Sequence, residues 1–244
     1  MTGFSDPAFY GDRWAAVYDE RHASLDPEPA VAFLAPLSGG GRVLELAIGT
    51  GRVALPLAGR GIAVEGLDAS QAMVDRLRAK PGGAAIPVTI GDMAQVPVAG
   101  PFQLVYLVFN SLFGLLSQDQ QVGCFRNVAR ALGPGGAFVI ECFVPDPSRF
   151  NRGQRAEAVA VTEDSAVLHL SRHDAAQQRV TTQVVTFDGQ GVHLRPVALR
   201  YCWPSELDLM ARLAGLELTE RYSGWARQPY DSASDGHVSV YRRT

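Results

Sequence analysis

The stretch Val43-Leu44-Glu45-Leu46-Ala47-Ile48-Gly49-Thr50-Gly51-Arg52 decides the fold. It reads as a short apolar strand that ends in a carboxylate and turns through glycines into a helix. A strand, loop and helix joined in this way build a nucleotide-type pocket at the carboxyl end of a parallel sheet. The carboxylate separates two uses of such a pocket. A dinucleotide pocket seats a pyrophosphate over the helix N-terminus, where exposed N–H groups and the helix dipole favour an anion. Glu45 would repel that anion and suits a ligand presenting cationic groups.

Outward from this stretch the chain alternates as a parallel sheet demands. The pattern predicts a helix over 29–36, a strand over 42–46, a helix over 51–60 closed by Gly61, and a strand over 62–67. Ser70 then caps a helix whose Met73, Val74 and Leu77 share one face. Strands over 86–90 and 102–109 follow, the second nearly all apolar as a strand buried on both faces should be. Ser117 and Gln120 form a capping box for a helix running to Leu132. Gly133-Pro134-Gly135-Gly136 ends it, and a strand over 137–143 comes next. Pro56 removes a backbone donor from the helix after the glycine loop and predicts a kink or a tight first turn.

After Pro145 the period becomes two. Residues 157–163, 166–173, 179–187 and 192–202 predict an antiparallel meander. A helix over 205–214 and strands near 216–223 and 237–242 return to the main sheet, with a polar, mobile loop over 224–236. The expected fold class is α/β, a Rossmann-like, doubly wound, mostly parallel sheet with an antiparallel β insert. Residues 1–30 are expected to form an N-terminal helical lid and 31–145 a cofactor-binding core. Residues 146–203 would be the insert, serving as substrate lid, dimer surface or both, and 204–244 would complete the core sheet.

Composition bounds the partners. A length of 244 residues suits one α/β domain with an insert or two small domains. A net charge of −3 offers no basic field to a nucleic-acid backbone, so DNA or RNA is not expected as the main partner. Cys124, Cys142 and Cys202 are odd in number and far apart, which suits reduced core residues in a cytoplasmic protein. No Cys/His cluster suggests a metal site. No apolar run approaches membrane-spanning length, so no membrane partner is expected. A homodimer fits the extra sheet.

Three acids, Glu45, Asp68 and Asp92, fall just past three successive strands. Singly, each reads as a turn former or helix cap. Together they line the crevice where ligands bind in an open parallel sheet. Asp68 can accept from two ribose hydroxyls, and Asp92, in Gly91-Asp92-Met93, from an adenine amino group. Met73 and Met93 can pack on the base or the sugar. With Glu45 facing an ammonium and a sulfonium, this donor set suits S-adenosylmethionine. The aromatic N-terminal segment, with Phe9, Tyr10, Trp14 and Tyr18 before Asp19-Glu20-Arg21-His22, predicts a helix that covers the core edge or the cofactor.

These motifs resemble the class I S-adenosylmethionine-dependent methyltransferases over roughly residues 8–145. Glu45 to Gly51 matches the family's first motif, with Ala47 where a glycine is frequent. Leu67-Asp68-Ala69-Ser70 matches its ribose acid, and Gly91-Asp92-Met93 its adenine acid. The resemblance implies that Tyr10, Tyr18, Glu45, Ala47, Gly49, Gly51, Arg52, Asp68, Ala69, Met73, Asp92, Met93 and Phe109 contact the cofactor. It implies transfer of a methyl group to a nitrogen, oxygen or carbon of a small molecule, in the manner of secondary metabolism. A narrower likeness to sugar-amine and glycine N-methyltransferases rests on Tyr10 through Tyr18-Asp19, on Asn110-Ser111-Leu112, and on the meander after Glu141. Several aminosugar enzymes carry a histidine shortly after the fourth strand, where this chain reads Leu112-Phe113-Gly114.

A sulfonium already makes its methyl group reactive, so the protein mainly aligns a nucleophile and excludes water. A neutral amine needs little more; a hydroxyl or an enol carbon needs a base. Glu141, ending the fifth strand, is the catalytic expectation for accepting a proton or binding an amine; otherwise it is a solvated strand-end acid. Asn110 would orient the nucleophile through its amide oxygen; otherwise it is a turn residue. His169 and His173 read as structural, and Tyr201 and Trp203 wall an apolar substrate or join the core. The lid and meander are expected to face the strand ends around an apolar pocket with few charges. Two rival functions remain at this point: an adenosylmethionine-binding protein that senses or does other chemistry, and a dinucleotide oxidoreductase. Glu45, and Ala54 in place of a third glycine, speak against the second.

Overall fold

The computed structural model describes residues 3–243. The chain first builds β1 (Val43–Leu46), β2 (Val64–Asp68), β3 (Val88–Ile90), β4 (Phe102–Leu107) and β5 (Leu132–Phe143). It then lays down β6 (Gln154–Val161), β7 (Ala166–Asp174), β8 (Arg179–Asp188) and β9 (Gly191–Arg200), and ends with β10 (Leu216–Tyr222) and β11 (Gly236–Arg243). The central sheet has the order β10-β11-β5-β4-β1-β2-β3. It is parallel from β5 through β3, and β11 runs against both of its neighbours. Strand order reverses between β1 and β4, so a ligand crevice belongs outside the carboxyl ends of these two strands.

Helices α1 (Phe9–Trp14), α2 (Tyr18–Arg21) and α3 (Glu28–Leu34) precede the sheet. The crossovers carry α4 (Ala54–Gly59), α5 (Gln71–Arg78) and α6 (Gln118–Ala131), and α7 (Pro204–Leu213) follows the meander. Successive strand residues feed two cores. Leu44, Val105, Phe138 and Ile140 meet Phe125 and Val128 of α6 and Leu207 of α7. Val43, Leu104, Tyr106 and Val139 meet Val31 and Leu34 of α3 and Leu57 of α4. Burying each large apolar side chain contributes about 1.5–3 kcal/mol, and coverage of both faces explains the nearly continuous apolar runs.

Local rules account for most boundaries. The Ser70 hydroxyl accepts from Met73 N–H, and Ser117 and Gln120 close a reciprocal capping box. Gly61, at φ +80°, ends α4: its N–H donates to Ala58 O and Ile62 N–H to Leu57 O. The helix starts at Ala54, not 51, so Pro56 falls in the first turn, where an N–H has no intrahelical partner. The fifth strand begins at Leu132 rather than 137. Phe102 pairs with Leu132 and Leu104 with Ala137, so the Gly-Pro-Gly-Gly run bulges out of a continuing strand.

The meander forms its own four-stranded antiparallel sheet, β6-β7-β8-β9. Val167, Val184 and Val197 on one face pack with Trp14 and Ala15 of the N-terminal segment. Strand β9 contacts the Ser111–Gly114 turn that follows β4. The opposite face leaves Leu170, Phe187, Val192 and Leu194 exposed. The loop over 224–236 is anchored, against the expectation of a mobile polar segment. Trp225 packs edge-on against Phe33 with ring centroids 5.4 Å apart, and Tyr222 bridges to Pro229.

Candidate active site

The glycine loop is shaped by left-handed backbone at Ala47 (φ 53°), Gly49 (φ 56°) and Gly51 (φ 80°). Glycine adopts this conformation freely, and alanine only at a cost, which explains why glycine is common at the first position too. At Gly51 a Cβ would also lie 2.3 Å from Leu77 Cδ1, so a side chain there would force the buried Leu77 side chain to move. Asp68 locks the loop from the neighbouring strand. Its Oδ2 accepts from Gly49 N–H at 2.7 Å and its Oδ1 from Ser70 N–H at 2.9 Å. Burial pushes the Asp68 carboxyl upward, and these backbone donors oppose that shift.

Glu45 is 2% exposed and stands opposite Tyr106 in the β1–β4 register. The Tyr106 hydroxyl donates to Glu45 Oε2 at 2.7 Å. Burial pushes the Glu45 carboxyl up to about 8, against the downward pull of Tyr106 and Arg52. Even with the Tyr106 hydroxyl, the Ala54 N–H and the nearby Arg52 charge, burial keeps this carboxylate costly, and a further cation in contact would complete it. That deficit fits the ammonium of an amino-acid ligand.

Phe109 and Asn110 follow β4 with φ of 57° and 62°. Two consecutive non-glycine residues in this region need external support. Glu141 supplies it: Oε2 accepts from Phe109 N–H at 2.7 Å, and Oε1 from the Trp225 indole N–H at 2.7 Å. Asn110 completes the bracket, its amide oxygen accepting from Phe143 N–H at 2.6 Å. The oxygen expected to orient a nucleophile is therefore engaged with backbone, and both Glu141 oxygens hold structural donors.

The N-terminal segment lies over this crevice and is fastened to its loops. Ser70 Oγ donates to Asp12 at 2.6 Å. Asp19 Oδ1 accepts from Thr50 Oγ1 at 2.6 Å and from Lys80 Nζ at 2.8 Å, and Lys80 also donates to Thr50 O. Between it and the loops, Tyr18 of the segment with Glu45, Ala47, Gly49, Arg52 and Phe109 borders a cavity of about 30 Å³, together with Thr50 and Ser111. The Arg52 guanidinium stands 5.2 Å from the Phe109 ring centre. His22 packs between Tyr18 and Phe109, at 4.4 and 5.1 Å between ring centres.

Not every expected residue borders that cavity. Asp68 and Ala69 sit one strand over, joined to it through Gly49. Met73 is buried with Trp14 under α1, and Tyr10 stacks on Trp14 while remaining 39% exposed. Asp92 lies past β3, its Oδ1 accepting from Ala94 N–H, and Met93 packs into the main core. His173 bonds the Tyr201 hydroxyl at 2.8 Å within the meander, as a structural histidine would. A larger cavity of about 970 Å³ lies elsewhere, between Phe4, Phe9 and the meander. It includes Arg152, Arg155 and Arg172, so this space is not the weakly charged pocket expected at the strand ends. The pattern missed Tyr106, Trp225 and His22. For His22 a signal was present: it follows Tyr18 by one helical turn.

This sheet order, with a strand-end acid, a glycine loop and a second acid bonding that loop, defines a nucleoside-binding fold of the methyltransferase type. A family model described as "Methyltransferase domain" matches residues 43–136. The structure of the CcbJ methyltransferase from Streptomyces caelestis is 39% identical with a TM-score of 0.92, covering 98% of this chain and 99% of that one. A cypemycin N-terminal methyltransferase from Streptomyces sp is 29% identical over 98% of this chain and 99% of its own length. The S-adenosylmethionine-bound amino pentose methyltransferase CalS10 from Micromonospora echinaspora shares the fold, with 23% identity and a TM-score of 0.69 over 95% of this chain and 96% of that one. The chain belongs to the class I S-adenosylmethionine-dependent methyltransferases. It is an enzyme that uses S-adenosylmethionine. No helix among the described residues is long and apolar enough to cross a membrane.

Proposed function

We propose that this chain methylates a small secondary metabolite at the open end of the β1–β4 crevice, with an amine as the accepting group. The single observation that carries the site assignment is the Asp68 to Gly49 hydrogen bond beside buried Glu45. It puts two acids around a glycine loop as an aminoacyl nucleoside needs. Glu45 would hold the cofactor's ammonium, and Asp68, through its remaining lone pairs, the ribose hydroxyls. Asp92 and Met93 would meet the base. When bound, the cofactor supplies a methyl group activated by its sulfonium. Phe109, Tyr18 and the Glu141-braced loop then serve to exclude water and align the acceptor.

The N-terminal segment is proposed as a lid. A cavity of about 30 Å³ holds roughly one water, far less than a nucleoside, so loading requires the Asp19 and Asp12 fastenings to open. The amine preference draws on the curated relative, whose name places its methyl group at an N terminus. The exposed apolar face of the meander supports a homodimer, and three buried free cysteines support a reducing, cytoplasmic setting. The net charge of −3 supports a substrate other than nucleic acid. Incubation with methyl-labelled cofactor and a cell extract tests the reading. A labelled small product is expected; cofactor binding with no labelled product would favour a sensing protein instead.

A further inference from the structure

The ring of His22 touches both aromatic walls of the cavity, Tyr18 and Phe109, and its two nitrogens differ in their surroundings. Nδ1 lies 2.9 Å from the carbonyl oxygen of Tyr18. A carbonyl only accepts, so Nδ1 carries the proton and the neutral ring keeps its lone pair on Nε2. Nε2 has no hydrogen-bond partner among the described residues. We propose that His22 Nε2 is the group that takes the proton from the accepting amine. This rests on the methyltransferase reading of the same crevice.

The surroundings keep the ring unprotonated. Burial, followed by the guanidiniums of Arg21 and Arg52, holds the imidazole below its usual range, against the Tyr18 carbonyl and Asp19. Arg21 is in turn 3.4 Å from His169 of the meander. A neutral imidazole is therefore present at pH 7, when most aliphatic amines are ammonium ions. In the reaction the ammonium gives one proton to Nε2. The freed nitrogen lone pair forms the bond to the methyl carbon, and the C–S pair returns to sulfur, leaving S-adenosylhomocysteine. The imidazolium then passes its proton to solvent. The main alternative acceptor, Glu141, has both oxygens engaged by Phe109 N–H and Trp225.

His22→Asn is the informative variant. Its side-chain NH2 can keep the bond to Tyr18 O while the Nε2 position is lost. The first readout is imidazole ¹⁵N spectroscopy of the wild type, with His22→Asn giving the assignment. Nδ1–H and a neutral ring at pH 7 are expected; a proton on Nε2, or an imidazolium at pH 7, overturns the proposal. The second readout is methyl transfer to two amine probes, a short peptide with a free N terminus and a methyl aminopentoside, between pH 6.5 and 9.5. His22→Asn should lower kcat/KM about 10²-fold at pH 7, with the deficit shrinking as the free amine becomes abundant. A deficit that is absent or independent of pH overturns it. If neither probe is methylated, the tautomer decides. S-Adenosylhomocysteine should bind both proteins equally; binding by neither would strike down the methyltransferase site itself, and with it the role of His22.

Discussion

The indole N–H of Trp225 donates to Oε1 of Glu141 at 2.7 Å, across 84 residues of sequence. The same carboxylate holds Phe109 N–H with its other oxygen. One side chain thus fixes both the loop between β10 and β11 and the left-handed turn at the mouth of the crevice.

A glutamine at this position offers one acceptor oxygen and an NH2 group that faces a donor. Glu141→Gln should therefore lower unfolding free energy by about 1.5–3 kcal/mol, the range for a hydrogen bond to a charged group. Trp225→Phe should show a loss in the same direction. Urea titration measures both. Wild-type stability in Glu141→Gln, combined with a 10²–10⁴-fold fall in kcat, would mark Glu141 as the base instead.

Burial raises the Glu45 carboxyl to about 8 in the folded chain, whereas it ionises near 4.5 when unfolded. The folded state then binds the extra proton between these values, so this group's contribution to stability falls as pH rises from about 4.5 to about 8. Pairing with the cofactor's ammonium requires the anion. S-Adenosylhomocysteine binding should release a proton near pH 7, and affinity should rise toward pH 8. Calorimetry in two buffers of different ionisation enthalpy reads the proton directly. Proton uptake on binding would contradict this.

Asp19 joins the N-terminal segment to Thr50 and Lys80. The Asp19–Lys80 pair is partly exposed, so it is worth at most about 1 kcal/mol. Asp19→Ala should leave the midpoint of thermal unfolding nearly unchanged while speeding hydrogen exchange over 9–21 and the association of S-adenosylhomocysteine. Unchanged exchange and association would show that these bonds do not govern access.

What the chain's pattern makes legible follows from the range of the forces involved. Caps at Ser70 and Ser117, the Gly61 terminus and the period-two meander depend on neighbours within a few residues, and they stand where expected. Asp68 and Asp92 follow from strand ends, which apolar runs mark well; Glu45, expected just past the first strand, lies inside β1 and Asp68 is the last residue of β2. Helix α4 starts late because the glycine loop uses the preceding residues for left-handed turns, and β5 starts early because its pairing with β4 outlasts the glycine breaker. Tyr106 facing Glu45 depends on the β1–β4 register, and Trp225 reaching Glu141 depends on tertiary packing. Neither leaves a local trace, and so the anchored loop reads from sequence as a free one.

The proposed cofactor position is the crevice at Gly49 and Asp68. Calorimetric titration of the wild type and Asp68→Ala with S-adenosylhomocysteine, each checked for an intact unfolding transition, tests it most directly. The wild type should bind in the micromolar range, about −8 kcal/mol, and Asp68→Ala should lose about 1.5–3 kcal/mol, roughly 10- to 150-fold in Kd. No binding to the wild type, or an unchanged affinity in folded Asp68→Ala, would contradict it.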